Sequence, residues 1–271
     1  MKFQRIAGLL EKLAPKGLAE SWDNPGIQVG NPQQVIKRIL VCLDVSQPVV
    51  ETAIAQGVDL IVSHHPVMLF KGLLNIRTDL YDGRLLQQLL SKNIAVYSAH
   101  TNLDIAQGGC NDILAGLCGL ERVEGFVPVQ GENEEFMGRI GYVGESVTVA
   151  EFAKRLCASL NTTHVRLVKG GPDTVHKVAL CSGAGAEFIS QAAFKGADLY
   201  ITGDLKYHEA QQGVKHGINI IDAGHFATEF LMVKALAEYL RKELADIRSD
   251  VEVIEDSLSQ DFFQVIRREG E

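Results

Sequence analysis

The chain has 271 residues, of which 46% are hydrophobic and 22% are charged, so it can bury a full core and is not a disordered polypeptide. Its length allows one large domain or two modest ones. The formal net charge of −8 repels phosphate backbones and therefore disfavours non-specific nucleic-acid binding.

The cysteines and the start of the chain indicate the cellular compartment. None of the five cysteines pairs with another at CxxC spacing, which predicts free thiols in a reducing environment. Met1 leads into an amphipathic segment without the pattern of a secretory signal, and apolar runs such as 37–45 are too short to span a bilayer. We therefore expect a cytoplasmic protein without membrane attachment. The cysteines are Cys42, Cys110, Cys118, Cys157 and Cys181.

The first part of the chain predicts strands that alternate with helices. Apolar residues recur at helical spacing over 3–13, and Pro15 and Gly17 end that helix. A polar, glycine-punctuated loop follows at 22–30. Beyond it, the pattern predicts strands at 38–45, 59–63 and 94–98 and helices at 48–56 and 81–93. Such alternation is typical of a parallel sheet with helices on its faces.

The middle of the chain, residues 123–144, is glycine-rich and extended, with an acidic tip at 132–135, and it predicts a hairpin or a linker. The alternation then resumes with helices at 149–160, 187–195 and 226–244 and strands at 177–181, 198–201 and 218–222. We predict an α/β fold of two similar lobes, residues 1–122 and 123–271, each a mainly parallel sheet flanked by helices. The C-terminal helix is expected to be able to pack on the first lobe.

An internal repeat supports the two lobes. Residues 56–65, QGVDLIVSHH, match residues 195–204, KGADLYITGD, and each segment is followed by another strand. Each of those strands leads to a histidine with a carboxylate four residues later. The two pairs are His100 with Asp104 and His225 with Glu229. Matches in the same order favour two related lobes, whose relative orientation the pattern does not give.

Six side chains with metal-binding chemistry follow predicted strands. In open α/β sheets, ligands bind beyond the carboxyl ends of the strands, so these side chains are candidates for one site. Adjacent histidines serve one site only where a strand ends or where each binds a different ion. The alternative for His64 and His65 is that one is a surface histidine and the other is hydrogen-bonded. The alternative for Glu229 is a solvated acid in the first turn of a helix. The six are His64, His65, His100, Asp104, His225 and Glu229.

The donor set predicts the class of metal. Three histidines and two carboxylates suit Zn, Mn, Fe, Co or Ni better than Ca or Mg, which prefer oxygen. Five ligands exceed what one structural zinc needs, and they fit two ions about 3.5–4 Å apart, as in two-metal hydrolytic sites. We therefore expect two divalent ions per subunit in a cleft between the lobes. The ligands would be His64, His65, Asp104, His225 and Glu229.

Two further segments have open roles. Residues 181–185 weakly resemble a phosphate-binding turn but lack a lysine and a full glycine fingerprint. The side chains after the strand at 198–201 would orient ligands or grip a substrate, or they are ordinary polar residues at a helix start. They are Asp204, Lys206, Tyr207 and His208.

Five sequence blocks resemble the signature blocks of the NIF-three-like family, whose members are known as GTP cyclohydrolase I type 2 homologues. The resemblance runs from Phe3 to about Leu244, and the blocks follow the family's order. They are WDNPGIQVG at 22–30, SHHP at 63–66, HTNLD at 100–104, TGD at 202–204 and DAGHFATE at 222–229.

The resemblance implies a two-lobed subunit with a dinuclear metal site, assembled into a ring-shaped hexamer whose sites face an internal cavity. The family's metal ligands fall on the five residues given above. His100 falls on a position that lines the site, and we assign it as a candidate proton-transfer residue or partner of a ligand. Only 130–138 occupies the place where some members carry an inserted domain, so the chain resembles the compact form.

These observations predict a metal-dependent hydrolase that acts on a nucleotide or related small molecule through a metal-bound hydroxide. No motif identifies a guanine pocket, and a fold does not dictate a substrate. The alternative is a non-catalytic metal-handling or protein-interaction module, which would hold exchangeable metal without turnover. The acidic charge disfavours a third function, a nucleic-acid-binding ring.

Overall fold

The computed structural model describes residues 1–68, 75–129 and 135–266. Of the predicted acidic tip at 132–135, only Glu135 lies within the described residues. Of the segment 130–138, residues 135–138 are described. In this part of the chain the fold is mixed α/β, with two sheets and helices packed against them. None of the described helices is long and apolar enough to cross a membrane.

The described helices are α1 Phe3–Leu13, α2 Gln47–Ala55, α3 Tyr81–Ser91, α4 Thr101–Ile105, α5 Cys110–Leu117, α6 Val149–Ser159, α7 Ile189–Phe194, α8 Tyr207–His216, α9 His225–Glu229 and α10 Leu231–Asp246. Short 3₁₀ turns lie at Lys16–Leu18 and Ala186–Phe188. The strands are β1 Gly26–Val29, β2 Arg38–Cys42, β3 Leu60–Ser63, β4 Ala95–Ser98, β5 Leu120–Pro128, β6 Phe136–Thr148, β7 Arg166–Val168, β8 Thr174–Leu180, β9 Leu199–Thr202, β10 Asn219–Asp222 and β11 Glu252–Glu255.

The first sheet has the order β1-β4-β3-β2-β11 and is mainly parallel, as predicted, because only β1 runs antiparallel to its neighbour. Its central strands are buried on both faces. Ile39 and Val41 of β2 pack into one core cluster, and Leu40 and Cys42 pack into another on the opposite face. This burial explains why the strand reads as a continuous apolar run rather than an alternating one.

The second sheet has the order β5-β6-β8-β9-β10-β7 and is mixed, so the prediction of a mainly parallel sheet was wrong for this half. Only β8, β9 and β10 are parallel. The segment predicted as a hairpin or linker forms the antiparallel pair β5 and β6, which extends the sheet on one side. The short strand β7, which the sequence pattern did not indicate, adds an antiparallel edge on the other side.

The C-terminal region returns to the first sheet. Helix α10 contributes Met232 and Leu236 to the core cluster that also contains Phe3 and Ile6 of α1. Strand β11 then pairs in parallel with β2 at the edge of the first sheet. Helix α10 and strand β11 therefore complete a core to which α1 also contributes.

Candidate metal site

The candidate residues lie where parallel strands of both sheets end. His64 and His65 follow β3, and Asp104 lies in α4 just after β4. His225 and Glu229 are the first and last residues of α9, which follows β10. The helix predicted as one element at 226–244 is thus two, and the short first one carries both side chains. Because β3, β4 and β10 all end at this place, the five predicted ligands converge.

Glu229 is the centre of the cluster. Its Oε2 atom lies 3.0 Å from Nε2 of His65, 3.0 Å from Nε2 of His225 and 3.8 Å from Nε2 of His64. Asp104 reaches the other side of His64, with 3.6 Å between its Oδ1 and the same Nε2. A single carboxylate therefore contacts histidines that come from both sheets.

The histidines of the first sheet are fixed through their Nδ1 atoms. Nδ1 of His64 donates a hydrogen bond to the carbonyl oxygen of Ala99 at 2.8 Å, and Nδ1 of His65 donates to Asp44 at 2.7 Å. With Nδ1 protonated, a neutral imidazole presents Nε2 as a lone pair. Metal-binding histidines are commonly held in this way by a carbonyl or carboxylate behind the ring.

The two remaining histidines have the same arrangement. Nδ1 of His225 donates to Asp204 at 2.8 Å, and Nδ1 of His100 donates to Asp23 at 2.8 Å. The second oxygen of Asp23 accepts hydrogen bonds from the backbone and hydroxyl of Thr101. Sequence reasoning left the role of Asp204 open and did not single out Asp23 or Asp44 as partners of the histidines.

Two buried atoms in this cluster have no hydrogen-bond partner among the described residues, namely Nε2 of His64 and Oδ1 of Asp104. Burying unpaired polar atoms is costly, by about 1–3 kcal/mol each and more for charged groups. Their separation of 3.6 Å is too long for a hydrogen bond but suits one ion with ligand bonds of about 2.0–2.2 Å. The donor set therefore fits a divalent metal ion.

The electrostatics of the cluster favour positive charge. Burial lowers the pKa of His65, but the carboxylates of Asp44 and Glu229 outweigh it and raise the pKa to about 10. For His225, burial likewise lowers the pKa, and Glu229 with Asp204 raises it to about 9. Without an ion, protons therefore occupy the nitrogen atoms that a metal would bind, so a metal ion would have to compete with protons for this site.

The turn predicted as weakly phosphate-binding lies against Glu229. Gly183 in this turn has φ +60°, and a Cβ there would stand 2.0 Å from Oε1 of Glu229. Its backbone N–H donates to Oγ1 of Thr228 at 3.0 Å, which ties the turn to α9. Glycine is required here because no side chain fits between the turn and the carboxylate.

A cavity of about 1030 Å³ opens onto the cluster. His65, His100, Asp104, His225 and Glu229 line its polar side. Its lining also includes the large apolar side chains of Trp22, Val127, Val129, Met137 and Phe188. Lys206, Tyr207 and His208 lie outside this lining, and Tyr207 is 80% exposed. Of the four residues with open roles, only Asp204 reaches the cluster.

Comparison with known proteins identifies the family. The model of the Duf34/NIF3 (NGG1p interacting factor 3) family matches residues 1–261. The chain belongs to this family.

Relatives within the Duf34/NIF3 family cover nearly the whole chain. A Clostridium perfringens protein named GTP cyclohydrolase 1 type 2 homolog is 35% identical over 268 residues, with 98% of this chain and 100% of the relative covered. A crystal structure of a Bacillus cereus protein related to NIF3 matches with a TM-score of 0.92 at 27% identity, covering 98% of this chain and 99% of that one. The matched fold extends from the first helix to the C-terminal region.

Length separates two forms of Duf34/NIF3 proteins. A relative from Halalkalibacterium halodurans is 28% identical over 368 residues, which exceeds the 271 of this chain, while 97% of this chain and 98% of the relative are covered. That relative therefore carries additional residues within the aligned region. The present chain is the compact form.

Replacing Asp44 with asparagine is expected to weaken metal binding by about 10–100-fold, the usual effect of removing a carboxylate behind a metal-binding histidine. The amide has the size of the original side chain, but it lacks the negative charge that holds a proton on Nδ1 of His65. Metal affinity is measured by competition with a chelator. Asp246→Asn, at the exposed end of α10, is the matched control and should bind metal as the wild type does. Equal affinities for the two variants would contradict this role of Asp44.

Proposed function

We propose that the protein is a metal-dependent hydrolase that holds two divalent ions between its two sheets and acts on a nucleotide or a related small molecule. The observation that carries the proposal is the pair of buried, unpartnered atoms of His64 and Asp104 beside Glu229. The names of the relatives, GTP cyclohydrolase 1 type 2 homologs, agree with a hydrolase of this substrate class.

The ligands divide into an inner and an outer position. His64 and Asp104 are buried and form the inner position, whereas His65 and His225 are partly exposed and form the outer one. Glu229 lies between them and would contribute to both, since one carboxylate can bridge two ions. Two ions of Zn, Mn, Fe, Co or Ni bound here would supply Lewis acidity, which would lower the pKa of water and polarise the bond under attack.

His100 is proposed to transfer protons. Asp23 fixes its Nδ1, and the ring of His100 lies 5.1 Å from that of His64 and 5.5 Å from that of His65. Burial raises the pKa of Asp23, but hydrogen bonds from His100 and Thr101 lower it more, to about 2, so this carboxylate stays charged. Nε2 of His100 is then left to exchange a proton with a substrate in the cavity.

The cavity suits a small molecule with a flat apolar part, since Trp22 and Phe188 offer aromatic surfaces. Among the described residues that line it, none is a lysine or an arginine. A phosphorylated substrate would therefore depend on the metal ions for charge compensation. Binding of such a substrate should disappear on chelation, whereas stacking of an uncharged ring should not.

Turnover by metal-reloaded protein tests the proposal. Chelator-stripped protein is reloaded with Mn, Zn, Fe or Co and screened against GTP, other nucleotides and phosphoesters, with His64→Ala as the control. Metal-dependent turnover above the control supports the proposal. A reproducible metal content in the reloaded protein, without any turnover, would instead support a metal-handling or protein-interaction module.

Replacing His100 with glutamine is expected to lower kcat by about 10²–10⁴-fold, the usual contribution of a positioned general acid or base. The metal content should remain at the wild-type level, because His100 is not one of the five proposed ligands. Steady-state kinetics and metal analysis of the same samples provide the measurement. A variant that loses an ion together with its activity would show that His100 is a ligand and not a proton-transfer residue.

Self-association into a homohexameric ring is also proposed. It is supported by the resemblance to the family and by large apolar side chains that are exposed to solvent in the single chain. These are Phe194, Phe262, Phe263 and Ile266, each more than 80% exposed. Sedimentation equilibrium, which gives the mass of the assembly, tests this proposal.

A further inference from the structure

Cys110 lies beside the two unpartnered atoms of the inner position. The donor atoms of His64, Asp104 and Cys110 all lie within 4.8 Å of one another, and all three residues are buried. Cys110 is also the first residue of α5, and burial together with the nearby carboxylates of Asp104 and Glu229 raises the pKa of its thiol, so a thiolate there needs a bound cation. The protein thus places a thiol against a buried imidazole and a buried carboxylate.

The chemistry of these three groups favours a positive species between them. Nδ1 of His64 donates to Ala99, so Nε2 is an acceptor in the neutral ring, and an ionised Asp104 offers only acceptors. A thiol is a weak donor with a single hydrogen and cannot satisfy both. A proton shared between Nε2 and Oδ1 would have to span 3.6 Å, which is too long for a hydrogen bond.

We propose that Cys110 is a ligand of the inner ion, so that the inner position has nitrogen, oxygen and sulfur donors and the outer position has none from sulfur. The inference rests on the proposed metal site and adds a ligand to it. On binding, the Sγ–H bond of Cys110 breaks, its proton passes to solvent and an Sγ–metal bond forms, without any change in oxidation state.

A sulfur donor makes the two positions chemically different. Thiolates favour Zn, Fe and Co over Mn, whereas imidazole and carboxylate ligands discriminate less. The inner position should therefore retain a thiophilic ion while the outer position, nearer the cavity, exchanges more freely. We therefore expect that one subunit can hold two different ions, one at each position.

Cys181 provides a matched control. It is buried, as Cys110 is, and it lines the cavity that opens onto the cluster, but among the described residues it belongs to none of the groups that could hold an ion. Its sulfur instead contacts the carbonyl oxygen of Ser182 at 3.6 Å.

The test is a titration of chelator-stripped full-length protein with Co²⁺ under reducing, oxygen-free conditions. A thiolate ligand produces a sulfur-to-cobalt charge-transfer band in the near ultraviolet, and metal analysis gives the number of bound ions. The wild type and Cys181→Ser should develop the band with the first equivalent. Cys110→Ser should lack the band and bind the first ion at least about tenfold more weakly.

The outcomes separate this inference from the proposed function. Cobalt that binds to the wild type without a charge-transfer band, or a band that persists in Cys110→Ser, overturns the role of Cys110 but leaves the metal site intact. A wild type that binds no cobalt overturns both. Circular dichroism of the stripped variants checks that Cys110→Ser is folded, and Cys110→Ala serves as a second variant if it is not.

Discussion

Replacing Glu229 with glutamine is expected to remove both ions, so that metal analysis after gel filtration finds close to none per chain. The reason is the position of one oxygen, Oε2, which lies 3.0 Å from the Nε2 atoms of His65 and His225 and 3.8 Å from that of His64. Glutamine fills the same buried space, but its amide carries no charge and one end is a donor. Both proposed positions therefore lose their shared anionic ligand.

Two variants sharpen the experiment. Glu187→Gln removes a carboxylate from the lining of the same cavity without touching the ligands and should keep wild-type metal content. His65→Ala should lose mainly the outer ion, because His65 contacts Glu229, whereas Asp104 lies beside His64. If Glu229→Gln keeps two ions, Glu229 is not the bridge and the division into two positions is wrong.

Chelation of the wild type is expected to lower the thermal midpoint by about 8–16 °C. A ligand at 1,000 times its Kd stabilises the folded state by about 4.1 kcal/mol, and each kcal/mol shifts the midpoint by roughly 2–4 °C in a chain of this size. The effect is large because the ligands come from both sheets, and because chelation returns the atoms of His64 and Asp104 to an unpaired state. Differential scanning calorimetry with and without chelator is the measurement.

The same chelation should leave the midpoint of Glu229→Gln unchanged, since that variant has no ions to lose. A wild-type midpoint that is indifferent to chelator, in protein shown by metal analysis to have held two ions, would falsify the idea that metal ties the two sheets together.

The sequence predicts the candidate residues because of a general property of parallel sheets. Strands such as β3 and β4 run in the same direction, so residues that follow them gather at one edge regardless of the details of packing. His64, His65 and Asp104 are found together for this reason. The approach of His225 and Glu229 from the other sheet depends on how the sheets pack, which the internal repeat does not specify.

The features that were missed are short or depend on tertiary contacts. The edge strands β1, β7 and β11 have three or four residues each, too few to show a period of two. Helix α4 has five residues, too few to show the helical period of 3.6, and it was missed for that reason. In the sequence, Asp23 lies in a polar loop and Asp44 at the end of a predicted strand, and only the folded chain brings them to the back of histidine rings.

The path of the C-terminal region sets the order in which the molecule can be completed during synthesis. All strands of the second sheet lie between residues 120 and 222, so that sheet has its full set of strands once this segment leaves the ribosome. The first sheet must wait for β11, and its core must wait for α10, although its other strands are made earliest. The half whose strands are synthesised first is therefore completed last, because its core stays unfinished until α10 and β11 have been synthesised.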